Sequence, residues 1–165
     1  MVFLHGTVIM HESAAGLSRE ERVRQVVDGD ASVHEFGLYI PIGHAVDKLR
    51  AWEERGVSIV YLSSHTEGSQ VELDKHVLAK HGFPSGPVYY RDGGSSYSEV
   101  VDRVDPAILI EDDCESIGGE PEMAYPRLSS AVKRRVQSVV VKEFGGLDHL
   151  PDDPALLRPA GDAAD

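Results

Sequence analysis

The feature that most constrains this chain is a regular alternation of short apolar runs with stretches of helical spacing. Val2-Phe3-Leu4 is a brief apolar run that stops at His5-Gly6-Thr7. Val57 to Leu62, Val88-Tyr89-Tyr90, Ile108-Leu109-Ile110 and Val139-Val140-Val141 are four more such runs. Runs of this length bounded by turn residues suit strands covered on both faces. Between them lie helical patterns. Ser18 and Glu21 have the spacing of a capping box, with Val23, Val26 and Val27 behind them, so a helix is expected over about 18–28, ending near Gly29. Pro41 suits the first turn of a second helix, whose face is Ile42, Ala45, Val46, Leu49 and Trp52 and whose stop is Gly56. A third carries Val71, Val77 and Leu78 and stops at Gly82. Ser96 and Glu99 form a second capping box ahead of Val100, Val101 and Val104, and Pro106 closes that helix. A last helix is expected around 129–137, and residues 30–40 show no regular period.

Strand and helix patterns that alternate this way specify an α/β fold. The expectation is a doubly wound, mostly parallel five-stranded sheet with helices on both faces, Rossmann-like in architecture. The length of 165 residues suits one domain with one core, and 41% of the residues are hydrophobic, enough to fill it. Residues 1–150 are assigned to the domain. Residues 151–165, rich in Asp, Pro, Ala and Gly, read as a flexible acidic tail.

The formal net charge of -12 weighs against nucleic acid and against an anionic membrane surface as partners, since both are met by Lys and Arg. No stretch approaches the ~20 apolar residues of a membrane span, and no leader pattern is evident, so a cytoplasmic location is expected. Cys114 is the single cysteine, which rules out an intramolecular disulfide and suits a small buried filler. The eight histidines are scattered without H-x-x-x-H spacing, so a zinc centre from residues such as His11, His34, His44 and His65 could arise only through the fold.

In a doubly wound sheet, ligands bind where the strands end. Those places here are His5-Gly6-Thr7, Ser63-Ser64-His65, Arg91-Asp92 and Glu111-Asp112-Asp113. Their order resembles the haloacid-dehalogenase (HAD) superfamily. That family has a hydrophobic strand running into Asp-x-Asp-Gly-Thr, a later strand ending in Ser or Thr, a basic residue, and a strand ending in paired acids. The corresponding segments are Phe3-Leu4-His5-Gly6-Thr7, Val60-Tyr61-Leu62-Ser63-Ser64 and Ile108-Leu109-Ile110-Glu111-Asp112-Asp113; the basic residue has no clear Lys, and Arg91 is the best-placed candidate for it, with Arg103 next. The resemblance covers about residues 1–145.

The resemblance implies a HAD-type fold and a small phosphorylated or anionic ligand at the strand ends. It implies Gly6, Thr7, Ser63, Ser64 and Arg91 as substrate-binding residues, and Mg2+ held weakly by Asp112 and Asp113. The departures reshape the chemistry. Phe3 stands where the family's aspartate nucleophile would be, so an aspartyl-phosphate intermediate is excluded there. His5 stands at the acid/base position, and histidine is suited to proton transfer. The expected catalytic pair is therefore His5 and Asp112. The rival expectations are a catalytically inactive relative serving as a binding or regulatory module, and a residual magnesium-dependent phosphatase. No large cap is encoded, so the site is open or is covered by a second subunit in a homo-oligomer.

Overall fold

A computed structural model describes residues 1–157. Five strands form one sheet: β1 (Val2–Phe3), β4 (Tyr61–Leu62), β5 (Val88–Tyr89), β6 (Ile108–Asp112) and β7 (Gln137–Val141). Their order is β5-β4-β1-β6-β7, and every pairing is parallel. The α/β doubly wound expectation holds, with a sheet that is parallel throughout. The chain runs outward from β1 through β4 to β5 and then returns to the other side of β1 for β6 and β7. That reversal places a crevice at the carboxyl ends of the central strands.

Five helices connect the strands: α1 (Arg19–Val27), α2 (Ala45–Glu54), α3 (Gly68–His81), α4 (Tyr97–Val104) and the short α5 (Ser130–Lys133). The pleat sorts side chains to two faces. Val2, Leu4, Tyr61 and Ile110 point to one side and pack with Leu49 and Trp52 of α2 and Val77 and Leu78 of α3. Phe3, Leu62 and Leu109 point to the other and pack with Val100 and Val101 of α4 and Val132 of α5. Both capping boxes form: Ser18 and Ser96 each accept from the backbone N–H three residues on, and Glu21 and Glu99 accept in return.

Three elements depart from the sequence reading. A two-stranded antiparallel ribbon, β2 (Ile9–Met10) with β3 (Ile40–Pro41), brackets the irregular segment and α1. Pro41 lies in that ribbon, and α2 begins at Ala45 instead. Proline has no N–H to give, so an edge of a two-stranded ribbon suits it as well as a helix start. The last helix stops at Lys133, because from Gln137 onward the chain pairs with β6, residue for residue. Within residues 151–157, Pro151 accepts from the Trp52 indole N–H, Asp152 pairs with Lys48, and Leu157 is buried. The rest of the expected tail, 158–165, lies outside the described residues. No helix among the described residues is long and apolar enough to cross a membrane.

Gly86 passes close to the chain just ahead of β4: a Cβ there would lie 2.1 Å from the Ile59 carbonyl oxygen. It also sits beside the bond from Tyr61 N–H to Pro87 C=O that joins β4 to β5. Backbone cannot yield as a side chain can. Gly86→Ala should therefore destabilise by about 1–3 kcal/mol, the usual cost of overpacking. Thermal unfolding checks this, and an unchanged Tm would show that the strands separate freely.

Candidate functional site

The end of β1 is shaped by a tight turn in which the Leu4 carbonyl accepts from the N–H groups of Val8 and Ile9. Gly6 has φ +77°, and a Cβ there would meet the Asp112 and Glu143 side chains at 3.1 Å. The turn needs glycine on both counts. It directs His5 toward the loop after β4 and tucks Thr7 under β6, where its hydroxyl donates to Asp112 Oδ2 at 2.6 Å.

His5 lies at the centre of a hydrogen-bonded chain. Its Nε2 is 3.0 Å from Asp74 Oδ1 and its Nδ1 is 2.7 Å from Ser64 Oγ. The Ser64 backbone N–H also points at Nδ1, at 3.4 Å. An N–H can only donate and an ionised carboxylate can only accept, so both ends define the same tautomer: Nε2 carries the proton and Nδ1 the lone pair. Asp74 is fully buried and also accepts from the Ser63 hydroxyl at 2.6 Å and from His65 Nδ1 at 3.1 Å. Burial pushes the Asp74 carboxyl up, but hydrogen bonds from His5, His65 and Ser63 outweigh it and hold the group well below the usual carboxylate range. Asp74 is thus a fixed negative charge gripping two imidazoles. By the same logic His65 carries its proton on Nδ1, and its buried Nε2 has no protein partner among the described residues.

A cavity of about 280 Å³ opens over this group. Its lining comes from four neighbouring strand ends: His5 and Gly6 after β1, Ser64 and His65 after β4, Asp112 at the end of β6 with Cys114 beyond it, and Glu143 after β7. The segment between α1 and β3 roofs it with His34, Phe36 and Tyr39. Tyr39 stands edge-on to His5 with ring centres 5.4 Å apart, and Phe36 is 4.3 Å from His65.

The other residues singled out in the sequence fall in two groups. His5, Gly6, Ser64 and Asp112 line the cavity together. Ser63 and Thr7 are fully buried, and their hydroxyls are donated to Asp74 and Asp112. Arg91 donates to the Ser64 carbonyl at 2.9 Å and stacks on Tyr97 with 4.3 Å from guanidinium to ring centre. Asp112 also accepts from the Cys114 N–H, and burial raises its carboxyl. Asp113 is paired with Lys142 at 2.8 Å and accepts from the Glu143 N–H. Phe3 packs edge-on against Tyr97, 5.1 Å between centres. Burial also raises Glu111 and Glu143, and it pushes the Cys114 thiol up and so keeps it neutral.

His5, His65 and Asp74 offer three ligand atoms within 4.8 Å of one another, so this group could hold a metal ion. Asp74 is the residue that sequence reasoning missed. The signal was present: Asp74 continues the buried stripe of Val71, Val77 and Leu78, a charge on the apolar face of α3. A carboxylate there needs buried partners. Searches of protein-family models, of curated proteins and of solved structures find no match to this chain.

Proposed function

We propose that this chain is a HAD-like enzyme that binds a small molecule in the strand-end cavity and uses His5 as its acid/base. The observation that carries the reading is the position of His5, with one nitrogen on a buried carboxylate and the other facing a hydroxyl and the cavity. A base whose tautomer is fixed by a carboxylate is ready to take and return a proton. The strand order and the strand-end residues support the HAD-like part. Phe3, held in the core, supports chemistry without an aspartyl intermediate.

The lining bears on the ligand. Glu111, Asp112, Glu122 and Glu143 contribute carboxylates, while no Lys or Arg contributes among the described residues. A phosphorylated molecule, the class the resemblance implies, would meet acidic groups with no cation to offset them. The aromatic roof and acidic wall favour an uncharged or cationic molecule.

The second reading is a metal centre. Mg2+ at Asp112 and Asp113 would have to displace Thr7, Lys142 and two backbone N–H groups. Two imidazoles and a carboxylate at His5, His65 and Asp74 suit zinc or ferrous iron better than magnesium, which prefers oxygen. The bare Nε2 of His65 favours this reading.

A thermal-shift screen separates these cases. Its arms are uncharged esters and amides, organic cations and phosphorylated metabolites, each alone, with Mg2+ and with Zn2+. A molecule at about 100 times its Kd should stabilise by about 2.7 kcal/mol. The expected result is a shift by uncharged or cationic molecules without metal. Shifts confined to phosphorylated molecules with Mg2+ would contradict the proposed ligand class, and a shift by Zn2+ alone would favour the metal centre.

A further inference from the structure

Ser64 is the cavity-lining residue whose hydroxyl faces His5. We propose that Ser64 is a nucleophile, activated by His5 and Asp74, and that the site transfers acyl groups from uncharged or cationic carboxylic esters. The inference rests on the acid/base reading of His5 and extends it to a covalent step.

Four observations support it. The contact of 2.7 Å from Ser64 Oγ to His5 Nδ1 is the distance of an O–H···N bond, and the lone pair on Nδ1 makes the serine its donor. The 3.0 Å contact from His5 Nε2 to Asp74 completes a relay of serine, imidazole and buried carboxylate. The two imidazole nitrogens exchange the roles they hold in a serine protease triad. The logic of the relay is unaffected, since such constellations are defined by geometry and role. Ser64 is itself held in place: Arg91 fastens its carbonyl, and its backbone N–H is turned to the imidazole that its hydroxyl meets. Finally, Ser116, the other serine of the lining, donates its hydroxyl to Glu143 at 2.6 Å and so lacks the imidazole contact that Ser64 has.

The step balances without any redox partner. The Ser64 Oγ–H proton passes to His5 Nδ1 as Oγ bonds to the ester carbonyl carbon. The carbon–oxygen bond to the leaving alcohol then breaks, and the alcohol takes the proton from Nδ1. Water attacks the acyl-serine, its proton going first to His5 and then to Ser64 Oγ, and the carboxylic acid departs. Asp74 stays ionised and faces the imidazolium formed in each half. The four carboxylates of the lining disfavour anionic esters and leave the uncharged and cationic ones as the substrate class.

The test is covalent labelling of the full chain with an alkyl fluorophosphonate, an uncharged electrophile that a serine oxygen attacks with loss of fluoride. Intact mass and peptide mapping locate the adduct. The expected result is one adduct on Ser64, absent from Ser64→Ala and formed at least about 100-fold more slowly in His5→Gln, the lower bound for a positioned proton-transfer group. Circular dichroism checks that each variant is folded. Ser64→Cys gives a second reading, because alkylation of the introduced thiol should slow in the His5→Gln background. A folded wild-type chain that takes no label overturns the proposal, as does an adduct on another residue or a rate indifferent to His5. The acid/base reading is judged separately. If Ser64→Ala retains turnover of a ligand found in the screen and His5→Gln loses it, Ser64 is not the nucleophile and His5 stands. If both retain it, both readings fail.

Discussion

His5→Ala should lower turnover by about 10²–10⁴-fold while ligand affinity changes little, because a positioned acid/base acts mainly in the transition state. The substitution removes the imidazole between Ser64 and Asp74. Binding should persist because the cavity is built from four neighbouring strand ends and roofed by Phe36 and Tyr39. Asp112→Ala should behave differently. It leaves the relay intact, but it removes a carboxylate from the wall and frees the Thr7 hydroxyl, so affinity for a cation should fall. Steady-state rates on a ligand from the screen, paired with calorimetric Kd values, distinguish the two. If His5→Ala lost affinity and no turnover existed to lose, the chain would be a binding module.

Asp74→Ala should produce the largest stability effect among the site residues. The fully buried carboxylate serves His5, His65 and Ser63 together, and removing it strands three donors. Breaking a buried charge network of this kind costs about 3–5 kcal/mol. For a domain of this size, each kcal/mol moves Tm by about 2–4 °C, so a fall of about 6–20 °C is expected in calorimetry. The pH dependence has a definite sign. The folded-state pKa of Asp74 lies below its ordinary value of 3.8, so its contribution is fully present above pH 3.8 and is lost as pH falls through the lower folded value. Burial raises Glu111, Asp112 and Glu143, which act the other way, losing stability as pH rises through their raised values. The difference between wild type and Asp74→Asn cancels those three and should shrink as pH is lowered below about 4. A difference that stays constant into acid would mean that the carboxylate is not the source of the effect.

Local chemistry was the legible part of the sequence. Both capping boxes depend on residues three apart, and the strand ends are marked by abrupt polar residues after Leu4, Leu62 and Ile110. The strand alternation was enough to fix the sheet class. What escaped depends on distant pairing. The β2–β3 ribbon joins residues some thirty positions apart through two-residue strands, too short to show a period, and it claims Pro41 from the helix that follows. The end of α5 is set by the β6–β7 ladder and not by its own sequence. In the site, the sequence pointed to His5, Ser64 and Asp112 as strand-end residues, and the fold brings them to one cavity. Asp74 lies 69 residues from His5 and contributes through a helix interior, so only its place on an apolar stripe marked it. His65 stood in the strand-end run Ser63-Ser64-His65, but without metal-ligand spacing to another histidine. Its role follows from sharing Asp74 with His5, a relation that only the packed structure reveals.

The most direct test of the central claim is the tautomer of His5, read by long-range proton–nitrogen NMR correlations with His5→Gln used to assign the signals. Asp74 on one side and Ser64 on the other require the proton on Nε2 and a bare Nδ1 in the neutral ring. The expected spectrum shows that form, and Asp74→Asn should erode it, because an amide can present either a donor or an acceptor to Nε2. A His5 ring protonated on Nδ1, or one whose tautomer is indifferent to Asp74, would contradict the account.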